Sequence, residues 1–263
     1  DVLFGLATFI EAFDVRTTYP LVLAMLDQGY DDRQWRLVSS ILESYLLRRA
    51  VCGLTTKNYN RIFLTLARTL RRQGMTPEEL AKHLGEQSGE SGEWPKDERF
   101  SEAWRTQHAY HLLNNPKVVH ILSRLNDTYA TSKMESIQFE GALTVEHILP
   151  QGWVENWPLQ DGAKGLTVLD MFMADEADAR MIASRARNQV LQTLGNLTIL
   201  TKPLNSALSN SAWSIKRPEL LKHSLLPINQ QLMDREVWDE TAIAERSEDM
   251  LQRALRIWPK NIV

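Results

Sequence analysis

The chain holds one cysteine, Cys52, among 263 residues. A single cysteine excludes an internal disulfide and any zinc site built from several thiolates, and it suits a reducing, cytoplasmic setting. No apolar run approaches the ~20 residues that span a bilayer. No basic segment followed by an apolar one opens the chain in the manner of a secretory signal. There is no GxxxxGK[ST] phosphate loop, so nucleotide hydrolysis is not expected of these residues. Acids and bases nearly balance: the formal net charge is −3, which gives no global signature of nucleic-acid binding. Beginning at Asp1, the chain is expected to be part of a longer one.

Hydrophobic residues make up 43% and charged residues 24%. That balance is ordinary for a globular protein, and the length allows one large or two ordinary domains. Charge is unevenly distributed. From Arg180 to Lys222 the basic residues are Arg180, Arg185, Arg187, Lys202, Lys216, Arg217 and Lys222, with Glu219 the lone acid. From Asp234 to Asp249 acids dominate. A local basic face on an otherwise acidic chain suits phosphate binding, although a solvated helix face reads the same way.

The expected architecture is mainly α. Trp35, Val38, Ile41, Leu42, Tyr45 and Leu46 recur at helical spacing. Thr76-Pro77-Glu78-Glu79 is a helix start, with Thr76 as cap and Glu79 reaching back. Residues 85–92 (GEQSGESG) read as an exposed loop. Helices are expected over 97–113, 116–125, 174–193, 203–208, 211–221 and 240–255, and short strands over 144–149 and 196–200. A polar stretch over 127–136 suggests a boundary, giving an α-helical domain at 1–126 and a second domain at 127–263. Arg48-Arg49 and Arg71-Arg72 read as solvated helix ends, with DNA contact as the alternative. His108 and His111 lie one turn apart but read as ordinary surface residues.

The residues that carry chemistry are Glu146-His147 at the end of the first strand, Asn196 at the start of the second, and Asn205 and Asn210 beyond it. Hydrolysis of a phosphodiester needs a base for water and positive charge against the phosphate. Histidine titrates near neutral pH and suits the first task. A hard divalent cation suits the second and needs only one or two protein oxygens, which Glu146 and Asn205 can offer. Asn196 can bridge the loop and hold the backbone beside His147. Lys216 and Arg217 can reach phosphates.

The segments EHILPQ, LGNLTILT and LNSALSN, with Trp213 and Lys216-Arg217 behind them, resemble the C-terminal HNH (His-Me finger) nuclease region of GmrSD-type and SspE-like phage-defence restriction proteins. Residues 44–63 (SYLLRRAVCGLTTKNYNRIF) resemble the helical region that precedes that nuclease. The resemblance implies a helical domain followed by a ββα-metal nuclease domain embedded in helices. It implies His147 as general base and Asn196 as the central asparagine of the site. Glu146 and Asn205 would be metal ligands, standing where the pattern usually has an aspartate and a histidine; the amide oxygen of Asn205 suits Mg²⁺, with Mn²⁺ as substitute, and weakens the case for zinc or nickel. Asn210, Lys202, Lys216 and Arg217 would contact DNA. The implied partners are DNA and an N-terminal NTPase or modification-sensing domain outside this chain; no membrane is implied, and a homo-oligomer is compatible. The competing readings are a catalytically degenerate DNA-binding module and a partner-docking module of the same defence system.

Overall fold

The computed structural model describes residues 2–132 and 141–262. The protein is mainly helical, and its described residues contain two strands. No helix among them is long and apolar enough to cross a membrane. The chain forms two compact units, one running to Ala103 and including the residues from Ala254 onward, the other spanning Trp104–Arg253. Of the stretch expected as a boundary, residues 133–136 lie outside the described residues.

The first unit contains α1 (Val2–Phe13), α2 (Tyr19–Leu26), α3 (Asp32–Val51), α4 (Tyr59–Gln73), α5 (Pro77–Gly85) and most of α6 (Asp97–Thr106). The helix starts follow from local chemistry. Asp31 and Gln34 form a capping box before α3, and Thr76 and Glu79 form the expected one before α5. The apolar stripe of α4 (Tyr59, Ile62, Phe63, Leu66, Leu70) is buried, and the ring of Tyr45 meets Phe63 and Trp94 edge-on.

Arg48 and Arg49 depart from expectation: neither is a solvated helix end, and both are fully buried. Arg48 donates to the carbonyls of Trp258 and Pro95 and pairs with Asp97 at 2.7 Å. Arg49 donates to the carbonyls of Thr55, Glu90 and Glu93 and to the Tyr59 hydroxyl. The physical reason is the loop over 85–95. Its backbone carbonyls have no ladder to join, and a guanidinium offers five donors in a fixed fork.

The second unit contains α7 (Ala109–Leu112), α8 (Asn115–Tyr129), β1 (Leu143–His147), α9 (Val168–Met173), α10 (Ala179–Leu191), β2 (Leu197–Thr201), α11 (Lys202–Leu208), α12 (Trp213–His223), α13 (Pro227–Gln230) and most of α14 (Glu240–Ile257). The helix expected over 97–113 is broken between Thr106 and Ala109. Helix α10 starts later than expected because Asp178 caps it, accepting from the Arg180 amide at 2.7 Å. Strands β1 and β2 pair antiparallel, with Glu146 opposite Thr198 and His147 opposite Leu197. Helix α8 packs beside both strands, and α11 follows β2 directly and packs on both as well. Beneath lies a core of Ile148, Leu149, Leu200, Leu208 and Ile243 with Trp153, Trp157, Trp213 and Trp238. Full burial of one such side chain is worth about 1.5–3 kcal/mol.

Candidate functional site

Strand β1 ends at His147, and the chain turns through Ile148 and Leu149 to Pro150. The turn is fixed from β2. The Ile148 amide donates to the Asn196 carbonyl at 2.9 Å. The Asn196 side chain accepts from the Leu149 amide at 2.8 Å and donates to the Leu149 carbonyl at 2.9 Å. It also donates to the Leu191 carbonyl and accepts from the Trp238 indole. Asn196 is fully buried, so it acts on the backbone and touches no cavity. The bridge across the loop that the sequence assigned to Asn196 is the brace observed here.

The brace is itself held by α14. Arg246, buried, donates from Nη1 to the carbonyls of Gly195 and Leu197, each at 2.8 Å. Burial pulls its pKa down to about 10, so it remains a cation at neutral pH. Position 195 must be glycine here, because a Cβ would lie 2.5 Å from the Ile243 carbonyl oxygen.

Glu146, His147, Pro150, Gln151, Asn205, Ser206, Ser209 and Asn210 line one cavity of about 280 Å³. Successive strand residues point to opposite faces, and it is the turn after His147 that lets neighbours share this cavity. The His147 ring is clamped. Its Nε2 lies 2.8 Å from Gln192 Oε1, and Tyr110 meets it edge-on with centroids 4.5 Å apart. With Gln192 presenting oxygen, the ring carries its proton on Nε2 and leaves Nδ1 as acceptor. Burial pushes the His147 pKa down to about 4, with the charges of Lys216 and His111 adding to the effect and Gln192 opposing it. The imidazole is therefore neutral at physiological pH.

Glu146 is paired with Lys216 Nζ at 2.5 Å. The same ammonium donates to the His147 carbonyl at 2.7 Å and the Ile148 carbonyl at 3.3 Å. Lys216 is fully buried and so does not reach outward to phosphate as the sequence suggested. Burial raises the Glu146 pKa and lowers that of Lys216, and their mutual attraction opposes both shifts. Asn205, on α11, donates both amide hydrogens, to Thr144 Oγ1 at 2.9 Å and to the Val145 carbonyl at 3.0 Å. Its Oδ1 has no donor among the described residues. Asn210 also lines the cavity. Lys202 is exposed at the start of α11, while Arg217 donates to the Met233 carbonyl and does not line the cavity.

The site thus brings together Glu146, His147, Asn205 and Asn210, braces them through Asn196, and turns Lys216 inward as counter-ion. Sequence reasoning missed Gln192, Tyr110 and Arg246. Among the described residues no three His, Cys, Asp or Glu side chains cluster as metal ligands. The cavity instead offers one carboxylate and neutral oxygens, a hard donor set suited to a cation that keeps most of its waters.

No curated protein matches the chain. A family model described as the C-terminal domain of GmrSD restriction endonucleases matches residues 94–253, more than half the chain and the whole of the cavity described above. The chain belongs to the family of the C-terminal domain of GmrSD restriction endonucleases.

Proposed function

We propose that this chain is a Mg²⁺-dependent DNA endonuclease of the HNH type, with β1, β2 and α11 as its ββα-metal unit, serving restriction of foreign DNA. The observation that carries the reading is His147: a neutral imidazole in a cavity wall, its Nε2 held by Gln192 and its Nδ1 left as acceptor. A base must present a lone pair and a fixed direction to a water molecule. His147 has both.

In this reading Nδ1 takes a proton from water as the water oxygen bonds to phosphorus. The P–O3′ bond breaks, and the departing oxygen takes a proton from solvent, leaving 5′-phosphate and 3′-hydroxyl ends. Glu146 and Asn205 Oδ1 would hold the cation, with Asn210 beside them. The cation supplies charge against the phosphate and the leaving oxygen. Asn196 and Lys216 fix the turn so that His147 and Glu146 keep their relation during the reaction. Lys202, exposed, is the remaining candidate for a direct phosphate contact.

A second reading rests on one observation. Glu146 is already neutralised by Lys216, which suits a DNA-binding or partner-docking module that no longer cuts. Cleavage of supercoiled plasmid in Mg²⁺, Mn²⁺ or EDTA separates the two. The native chain should nick or linearise DNA only with metal, and His147→Ala should lose at least ~10²-fold of that rate while binding DNA as before. Equal cutting by both proteins rules out His147 as base, and no cutting by the folded native chain in any metal leaves the binding module.

A further inference from the structure

Helix α4, in the first unit, lies outside the residues that match the family. Its sequence, YNRIFLTLARTLRRQ, contains four arginines and no acid. The apolar half of the helix is buried, and Arg61, Arg68, Arg71 and Arg72 are all exposed. At about 100° per residue these four fall within a sector of roughly 100°. They form a stripe, with Lys57 exposed just ahead of the helix. The stripe runs ~16 Å from Arg61 to Arg72 at 1.5 Å per residue.

Several other arginines of this protein are paired with acids. Arg99 pairs with Glu93, Arg105 with Glu248, Arg235 with Glu245, and Arg253 with Asp249. None of the four on α4 has an ion pair among the described residues. The two elements packed most closely on α4 do not neutralise it. Helix α2 reads YPLVLAML and the turn Arg16–Thr18 reads RTT. A solvated face of a protein with net charge −3 has no need of such segregation. A surface for a polyanion does. Guanidinium forks suit phosphate oxygens, and duplex DNA offers a negative charge every ~1.7 Å of axis, so a stripe of this length meets several phosphates.

We infer that the exposed arginine stripe of α4 is a sequence-independent contact for the phosphate backbone of duplex DNA, separate from the cavity around His147. The choice of DNA as the polyanion rests on the nuclease reading above. Contacts of this kind hold the duplex without reading its bases, so the stripe adds affinity and leaves specificity to other residues.

The test uses the full chain, EDTA to silence cutting, and a fluorescein-labelled duplex DNA of about 30 base pairs in a salt titration. Arg61→Gln/Arg68→Gln/Arg72→Gln should bind at least ~10-fold more weakly near 100 mM salt, with a log–log salt slope shallower by about 2 to 3. The corresponding triple lysine variant should retain most of the binding. Both variants should melt at the native temperature, since the three side chains make no buried contact. Unchanged affinity and slope in the glutamine variant overturn the proposal, and so does a native chain that binds no duplex DNA. Tighter binding of duplex RNA through the same arginines overturns DNA as the occupant. Plasmid cleavage by the native chain and by His147→Ala is scored separately, so the nuclease reading can fail or stand whatever the stripe does.

Discussion

Arg48 and Arg49 lie fully buried in the first unit, and Lys216 and Arg246 lie buried in the second. Three of the four spend their donors chiefly on backbone carbonyls: Arg48 and Arg49 on the segments around 55, 90–95 and 258, Arg246 on either side of Asn196. Lys216 differs. It also meets a carboxylate that borders a cavity, and that carboxylate adjoins a histidine with a displaced pKa. Burial of a cation therefore does not mark a functional site in this protein. A buried cation facing an ionisable group at a cavity wall is what sets the proposed site apart.

The comparison can be broken by removing one cation from each unit. Lys216→Met leaves Glu146 without its partner and should cost about 3–5 kcal/mol of stability. Adding Glu146→Gln should recover part of that loss, because the unpaired acid is gone. Arg49→Met should cost about 3 kcal/mol through unsatisfied carbonyls, and Glu93→Gln should recover none of it. Urea unfolding of the singles and doubles checks both. A Lys216→Met/Glu146→Gln protein no more stable than Lys216→Met would make Lys216 a carbonyl clamp like Arg49.

Acid sharpens the contrast. His147 and His120, both in the second unit, are held by burial at a pKa of about 4. Their folded values lie below the unfolded value of about 6.5. The stability they carry is present above pH 6.5 and is lost as pH falls from there toward 4. Each contributes a slope of up to ~1.4 kcal/mol per pH unit. Glu146 offsets part of this, since burial makes its folded form take a proton more readily. The first unit holds one histidine, His83, and it is only partly buried. Thermal melts from pH 7 to 4.5 should show the fall, and His120→Asn should flatten it. An unchanged slope in that variant would mean that burial of His120 does not set its titration.

The smallest effect expected is at the cavity itself. Asn205→Ala removes one neutral oxygen and leaves Glu146, so the Mg²⁺ concentration for half-maximal plasmid cleavage should rise by about tenfold. The fold should hold, because Asn205 is only partly buried. No change in metal requirement would remove Asn205 from the cation site.

Much of this was legible in the chain and some was not, for physical reasons. The capping box at Thr76 and Glu79 is a local interaction between residues three apart, so four letters suffice to find it. Glu146, His147 and Asn205 announce themselves by residue type and order on a strand–strand–helix run, and the cavity gathers them. Arg48, Arg49 and Lys216 could not be read, because a charged residue looks solvated until its partners arrive from 44, 210 or 70 residues away. Gln192 and Tyr110 were invisible for the same reason: their importance lies in touching His147, and no spacing rule links them to it. Helix α8 has an ordinary amphipathic pattern, and only the folded chain shows that it packs beside the hairpin.

The brace at Asn196 also sets when the proposed site can form during the protein's own synthesis. A ribosome that has released β1 has exposed Glu146 and His147, yet nothing holds the turn that follows. Gln192 and Asn196 emerge about fifty residues later, Lys216 after them, and Trp238 and Arg246 later still. Domains assemble as units once their long-range partners are present. The nascent chain therefore carries its histidine unaimed until nearly the whole second unit has been made, and the proposed cutting centre is complete only when its own fold is.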